Sequence, residues 1–115
     1  MQNNSEIAKE GKGIYKGYDF LIKNAFNTHY CAYVRIPEGH KFYGIPYDDI
    51  DIDCHGGLTF GSFTNYFSTL KNSKSGYWIG WDYAHCDDWS LYNKNGKKWT
   101  IDEIYAEVKK VIDQL

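Results

Sequence analysis

The sequence predicts an α+β domain: a small antiparallel sheet of about four strands packed by a C-terminal amphipathic helix. Three observations carry this reading. Two neighbouring runs, "YKGYDFLIKN" and "YCAYVRIP", alternate with period two and are joined by a short polar link, the pattern of an antiparallel hairpin. A later run, "YWIGWDYA", is rich in rings and apolar residues, as strands are. The closing run repeats apolar residues at helical spacing behind a capping box.

Taken in order, Met1 to Gly13 is polar and is expected to be a flexible N-terminal segment, with residues 14–115 forming one domain. In the first strand Tyr18, Phe20 and Ile22 share one side, and Asp19, Leu21 and Lys23 the other. In the second, Tyr30, Ala32, Val34 and Ile36 share a face, and Pro37 ends the strand. A long connection, "EGHKFYGIPYDDI", follows. Connections of that length often carry function. "DIDCHGGLTFGS" reads as a third strand with Ile50, Ile52 and Cys54 inward and Asp51, Asp53 and His55 on the opposite side. "TNYFSTLKNSKSG" fits either a short helix or a loop. The Tyr77–Ala84 run is the fourth strand. In "TIDE", Thr100 and Glu103 form the capping box, and Trp99 is placed to pack on Ile104. Ile101, Ile104, Tyr105, Val108, Ile112 and Leu115 then make one apolar stripe, with Glu107, Lys109, Lys110 and Asp113 off it.

Composition narrows the function classes. The formal net charge is −2, which argues against long nucleic acid as a partner, since phosphate contacts need a basic face. No apolar stretch is long enough to span a bilayer, and the opening residues lack a signal-peptide core. The expected location is the cytoplasm, with Cys31, Cys54 and Cys86 reduced. Aromatic residues make up 18% of the chain, 11 of them Tyr. Rings suit a half-buried sheet, and they also suit a cleft that stacks a flat ligand.

Two runs concentrate reactive residue types: "DIDCHGG" at Asp51–Gly57 and "WDYAHCDDW" at Trp81–Trp89. His55 beside Gly56 and Gly57 offers a side-chain donor next to two glycine amides, a candidate anion cradle. Carboxylates and imidazoles at Asp53, His55, Asp82 and His85 are a candidate divalent-metal set, although no HExxH-type spacing supports it; no other cofactor is implied. Cys54 and Cys86 each adjoin a histidine, but neighbours on a strand point to opposite faces, so Cys54–His55 is a poor nucleophile–base pair. Alternatively, both runs are well-hydrogen-bonded turns.

Tyr47-Asp48-Asp49-Ile50, His55-Gly56-Gly57-Leu58-Thr59 and Trp78-Ile79-Gly80-Trp81-Asp82-Tyr83-Ala84-His85, with the closing helix, resemble a family of small phage- and prophage-encoded proteins that share these motifs. The resemblance covers most of the chain after about Tyr15. It implies an accessory phage product that counters host antiviral defence. Three modes of action are open. The leading one is capture of a nucleotide-derived immune signal, such as a cyclic nucleotide, by a sponge; the other two are alternatives to it. In the sponge, Tyr43, Tyr47, Trp81 and Trp89 stack on bases; His55, Gly56, Gly57, Thr59 and Arg35 hold phosphate; and Asp82 and His85 complete the site. The second is an anti-CRISPR-like inhibitor that binds a host defence nuclease or complex through an acidic aromatic surface. The third is hydrolysis of such a signal with His55 and His85 as acid and base. A homodimer is compatible with each.

Overall fold

The computed structural model describes residues 11–25, 29–64, 76–84, 88 and 94–115. Among these residues are five strands and one α-helix: β1 (Gly11–Tyr15), β2 (Tyr18–Ala25), β3 (His29–Ile36), β4 (Phe60–Thr64), β5 (Gly76–Asp82) and α1 (Ile101–Ile112). The five strands form one sheet of order β1-β2-β3-β5-β4, and every neighbouring pair is antiparallel. The α+β class and the C-terminal helix are as the sequence predicts. The sheet expected to hold about four strands has five among the described residues, and two boundaries lie elsewhere than the sequence places them.

The first difference lies at the N-terminal edge. Gly11–Gly13, assigned to a flexible segment from sequence, belong to β1, which pairs with β2 through Gly13 opposite Phe20 and Gly11 opposite Ile22. Lys16 (φ 51°) and Gly17 (φ 85°) both take positive φ, the handedness a two-residue hairpin loop needs. The apolar alternation that betrays a strand is weak because two of the three inward positions, Gly11 and Gly13, are glycines and only Tyr15 carries a ring. At Gly13 a Cβ would meet the Phe20 ring at 2.9 Å, so the empty position is what lets the edge strand lie against its neighbour's ring.

The second difference lies between Ile50 and Thr59. This stretch is not a strand; β4 begins at Phe60. Ile50 and Ile52 are nevertheless buried in the core and Cys54 packs on it. The alternation therefore reports one-sided burial of an extended segment, not a ladder. The helix-or-loop alternative for "TNYFSTLKNSKSG" falls, after Thr64 and before Gly76, outside the described residues.

One face of the sheet carries the main core. Phe20 and Ile22 from β2, Ala32, Val34 and Ile36 from β3, and Tyr77, Ile79 and Trp81 from β5 point to it. Helix α1 lies over β2 and β3 and buries Ile104, Val108, Val111 and Ile112. Each such aliphatic side chain contributes about 2 kcal/mol by leaving water. Val111 joins the stripe read from sequence. The capping box is formed: the Thr100 hydroxyl accepts from the Glu103 amide and the Glu103 carboxylate accepts from the Thr100 amide. The connection from Pro37 to Thr59 covers the same face beside the helix, through Phe42, Tyr43, Ile45, Ile50, Ile52, Cys54 and Leu58. A smaller cluster, Leu21 and Trp78 with Tyr33 and Phe60, occupies the opposite face. No helix among the described residues is long and apolar enough to cross a membrane.

Gly80, at the middle of β5, has no room for a methyl group. A Cβ there would stand 2.5 Å from Tyr33 Cδ1 and 2.8 Å from the Ala32 carbonyl oxygen. Backbone cannot step aside cheaply inside a five-stranded sheet. Gly80→Ala is therefore expected to destabilise the domain by on the order of 2 kcal/mol, read as a lower urea midpoint at unchanged slope. A midpoint equal to wild type would show that the sheet yields there.

Candidate functional site

The two reactive runs do meet, and they meet through an aspartate. The segment carrying His55 is first clamped to α1. Asp53 exchanges two hydrogen bonds with Gln114: its amide donates to Oε1 (2.8 Å) and its carbonyl accepts from Nε2 (2.7 Å). The His55 amide donates to Glu107 Oε2 at 3.0 Å. Glu107 and Gln114 are two helical turns apart and so lie on one flank of α1. Glu107, off the apolar stripe by sequence, is thus a polar arm gripping the loop.

The clamp sets the His55 ring against Asp88. Nε2 donates to the Asp88 carboxyl at 2.8 and 3.1 Å, and Trp99 Nε1 donates to Asp88 Oδ1 at 2.8 Å. Asp88 is 2% exposed and the His55 side chain 23%. Tyr83 stacks on the imidazole at 4.6 Å and 9°, and Trp99 meets it at 4.9 Å and 63°. The Tyr83 hydroxyl accepts from Trp81 Nε1 at 3.1 Å, and burial pushes its pKa well above the ordinary tyrosine value. Outside this knot, Lys97 lies 4.1 Å over the Trp99 ring and pairs with Glu103 at 2.8 Å, which ties it to the helix cap.

A second meeting joins Thr59 and Asp82. The Thr59 amide donates to the Gly80 carbonyl, and its hydroxyl donates to Asp82 Oδ2 at 3.2 Å. The other Asp82 oxygen accepts from the Ala84 amide at 3.1 Å. Asp82 closes the turn after β5, as aspartates at strand ends do. It stands opposite Cys31 in the ladder, on the sheet face away from Trp81 and the main core.

These positions correct the single-pocket expectation. Gly57 (φ 80°) donates its amide to the Cys54 carbonyl at 2.9 Å, so it closes a turn and is not aimed outward as a cradle donor. Gly56 is exposed in the same turn. Arg35 sits opposite Trp78, on the face of the minor cluster, with its guanidinium group packed against Gly76. Tyr43 and Tyr47 lie near the start of β5: Tyr43 is 6.1 Å from Tyr77, and the Tyr47 Cβ abuts Gly61. Tyr77 and Tyr83 are six residues apart along the chain, roughly 20 Å in extended backbone. Trp81 is 1% exposed within the core and offers no face to a ligand. Arg35, Tyr43 and Tyr47 therefore do not converge with His55. His85, Cys86 and Trp89 lie outside the described residues. Among those described, no group of three or more His, Cys, Asp or Glu side chains is placed to hold a metal; Asp53 is an exposed residue tied through its backbone to Gln114, and Asp82 faces away.

Chemically, the His55–Asp88 pair is an oriented imidazole. The carboxyl group fixes which way the ring faces, as the carboxylate partner of a histidine does. The adjacent thiol is no nucleophile: the Cys54 pKa is pushed up to about 12, first by burial and then by the charges of Glu107 and Asp53. Trp99 and Tyr83 had no signal in the sequence as partners of His55, because ring-to-ring and indole-to-carboxyl contacts leave no spacing rule.

Comparison with family models, with curated proteins and with solved structures finds no match to this chain. What the residues do is therefore read from their placement.

Two expectations follow. Removing either partner of the knot strands a polar group in a poorly hydrated place, so His55→Ala and Asp88→Ala each cost about 3 kcal/mol. The double variant falls short of the sum by on the order of 2 kcal/mol in urea unfolding, and simple additivity would deny the pair any role. For Cys54, the folded thiol holds its proton to about 12, while the unfolded thiol releases it near 8.5. The folded pKa is raised, so the stabilising difference is complete below the unfolded value and is lost as pH rises between the two. Wild type should lose stability from pH 8.5 to 11 more steeply than Cys54→Ser; parallel curves would contradict the burial of this thiol.

Proposed function

We propose that this chain is a phage-type accessory protein that counters host antiviral defence by binding, and that its target is a host defence nuclease or complex. The motif resemblance to small phage and prophage proteins supports the origin. The mode of action is supported by one observation: the connection turns an acidic, ring-bearing edge outward and holds it there. Ile50 and Ile52 anchor in the core while Tyr47, Asp48, Asp49, Asp51 and Asp53 are exposed. The edge is also braced. Asp49 and Ile50 donate to the carbonyls of Pro46 and Tyr47, and Asp53 is locked to Gln114. Nucleases hold their substrate on basic surfaces, and an acidic, preorganised edge complements such a surface. By contrast, the imidazole–carboxyl pair is built into the packing of the loop on the helix.

Capture of a nucleotide-derived signal is the second reading. Its support is the exposure of Phe63 (57%) and Tyr47 (40%), rings on which a base can stack. Against it, Arg35 occupies the opposite face, the Gly57 amide is engaged, and the carboxylates nearest Tyr47 repel phosphate.

The two readings separate in a paired experiment. The chain, immobilised, is expected to retain a nuclease-containing complex from a bacterial lysate and to inhibit its purified activity. Retention should weaken with salt and fall at least tenfold for the Asp48→Lys/Asp49→Lys variant. Inhibition indifferent to charge reversal would sink the acidic-edge reading. A melting shift with cyclic dinucleotides, and no retained nuclease, would replace it with nucleotide capture.

A further inference from the structure

The exposed rings at the β4 edge carry a more specific reading. Phe63 is the more exposed of the two at 57%, yet its ring is not loose. Tyr43 meets it at 5.2 Å and 79°, and Tyr77 at 4.7 Å and 51°. Gly44 (φ 77°) comes so close that a Cβ there would stand 3.3 Å from Phe63 Cζ. The Tyr77 hydroxyl donates to the Ile45 carbonyl, which fixes the loop behind the ring. Two residues earlier on β4, and so on the same face, Gly61 lies against Tyr47: a Cβ at Gly61 would stand 3.1 Å from the Tyr47 Cβ. Phe63 and Tyr47 thus flank one position on the edge strand. Asp48 and Asp49 follow Tyr47 directly in a short 3-10 turn, and both are exposed. The nearest cation in sequence, Lys41, lies over Phe42 at 5.1 Å.

We infer that this ring platform seats an arginine side chain of the protein partner, the guanidinium plane lying on Phe63 and Tyr47 and its charge answered by Asp48 and Asp49. The inference rests on the protein-binding reading above and names its anchor. Guanidinium is the cation suited to such a place: it is planar, weakly hydrated and stacks on aromatic faces, while ammonium holds its water. The Phe63 ring is braced by Tyr43 and Tyr77 and the Tyr47 backbone is held in the 3-10 turn against Gly61, so little freedom is lost on binding. Carboxylates beside the platform disfavour both a phosphate-bearing base and a purely apolar side chain. An arginine lying on a nuclease's substrate-binding surface has the required charge and shape.

The test uses the peptide Ac-Gly-Arg-Gly-NH2 as probe and two-dimensional amide NMR of the whole chain as readout. Shifts should centre on residues 43–49 and 61–64, with a millimolar dissociation constant, and should spare residues around His55. The lysine peptide should bind at least threefold more weakly, and the citrulline peptide, which is flat but uncharged, should not bind. Phe63→Leu keeps apolar bulk without the ring and should weaken arginine binding at least threefold; Asp48→Asn/Asp49→Asn should do the same. An unchanged amide spectrum elsewhere shows that both variants fold. Absent or scattered shifts overturn the inference. So does equal binding of lysine, or binding of citrulline. Shifts produced instead by a cyclic dinucleotide would assign the platform to a base. Nuclease inhibition that survives Phe63→Leu, with no arginine binding, removes this anchor and leaves the broader reading standing. Arginine binding without any nuclease inhibition does the reverse.

Discussion

The arrangement around Asp88 is what joins the three parts of the molecule. Its carboxyl group, almost fully buried, receives one N–H from the long connection at His55 and one from the residue that precedes the helix cap at Trp99. A buried carboxyl needs such donors, because nothing else replaces its lost hydration. The need is mutual: the connection has no ladder of its own between Ile50 and Thr59, and its path is fixed by two core isoleucines, the Gln114 and Glu107 clamps, and this one acceptor. The acidic edge is as well defined as it is because the segment behind it is tied down at both ends.

That architecture separates two kinds of residue that look alike in sequence. The histidine, glycine and aspartate motifs are mostly spent on holding the connection: Gly57 closes a turn, Asp82 caps the end of β5, and His55 docks. Of the residues left facing outward, Tyr47, Asp48 and Asp49 belong to the Tyr47–Ile50 motif, while Phe63 lies in none. A search for reactive residue types finds the first set. Phe63 is found only by its exposure.

Much of the fold was legible because burial leaves periodic traces. The faces of β2, β3 and β5 and the stripe of α1 follow from alternation and helical spacing, and the capping box announces itself through Thr100 and Glu103. Strand β1 was hidden because glycines stand at two of its three inward positions, and because Lys16–Gly17 is a weaker turn signal than Asn–Gly. The extended stretch at Ile50–Cys54 mimicked a strand because one-sided burial alternates with or without a partner. At the site, composition marked out the two runs but left open whether they meet or stand as separate turns. Which groups touch was not legible either, since it depends on a sheet order that places β5 between β3 and β4, and on an indole from beyond both runs. Arg35 and Tyr43 were grouped with His55 because sequence carries no record of which sheet face, or which end of a strand, a residue occupies.

The insertion of β5 has a consequence for how the chain is made. Strands β1 to β3 form a local meander that can zip as soon as it is synthesised, but the free edge of β3 finds its partner only some forty residues later, when Tyr77–Asp82 emerges. Until then a nascent chain displays an unsatisfied row of backbone donors and acceptors flanked by Ala32, Val34 and Ile36, the sort of surface that invites mispairing. Closing so distant a pair is also entropically slow. Joining β3 to β5 is therefore the step expected to be slow, and β4, which pairs only with β5 among the described strands, reaches the meander through that strand.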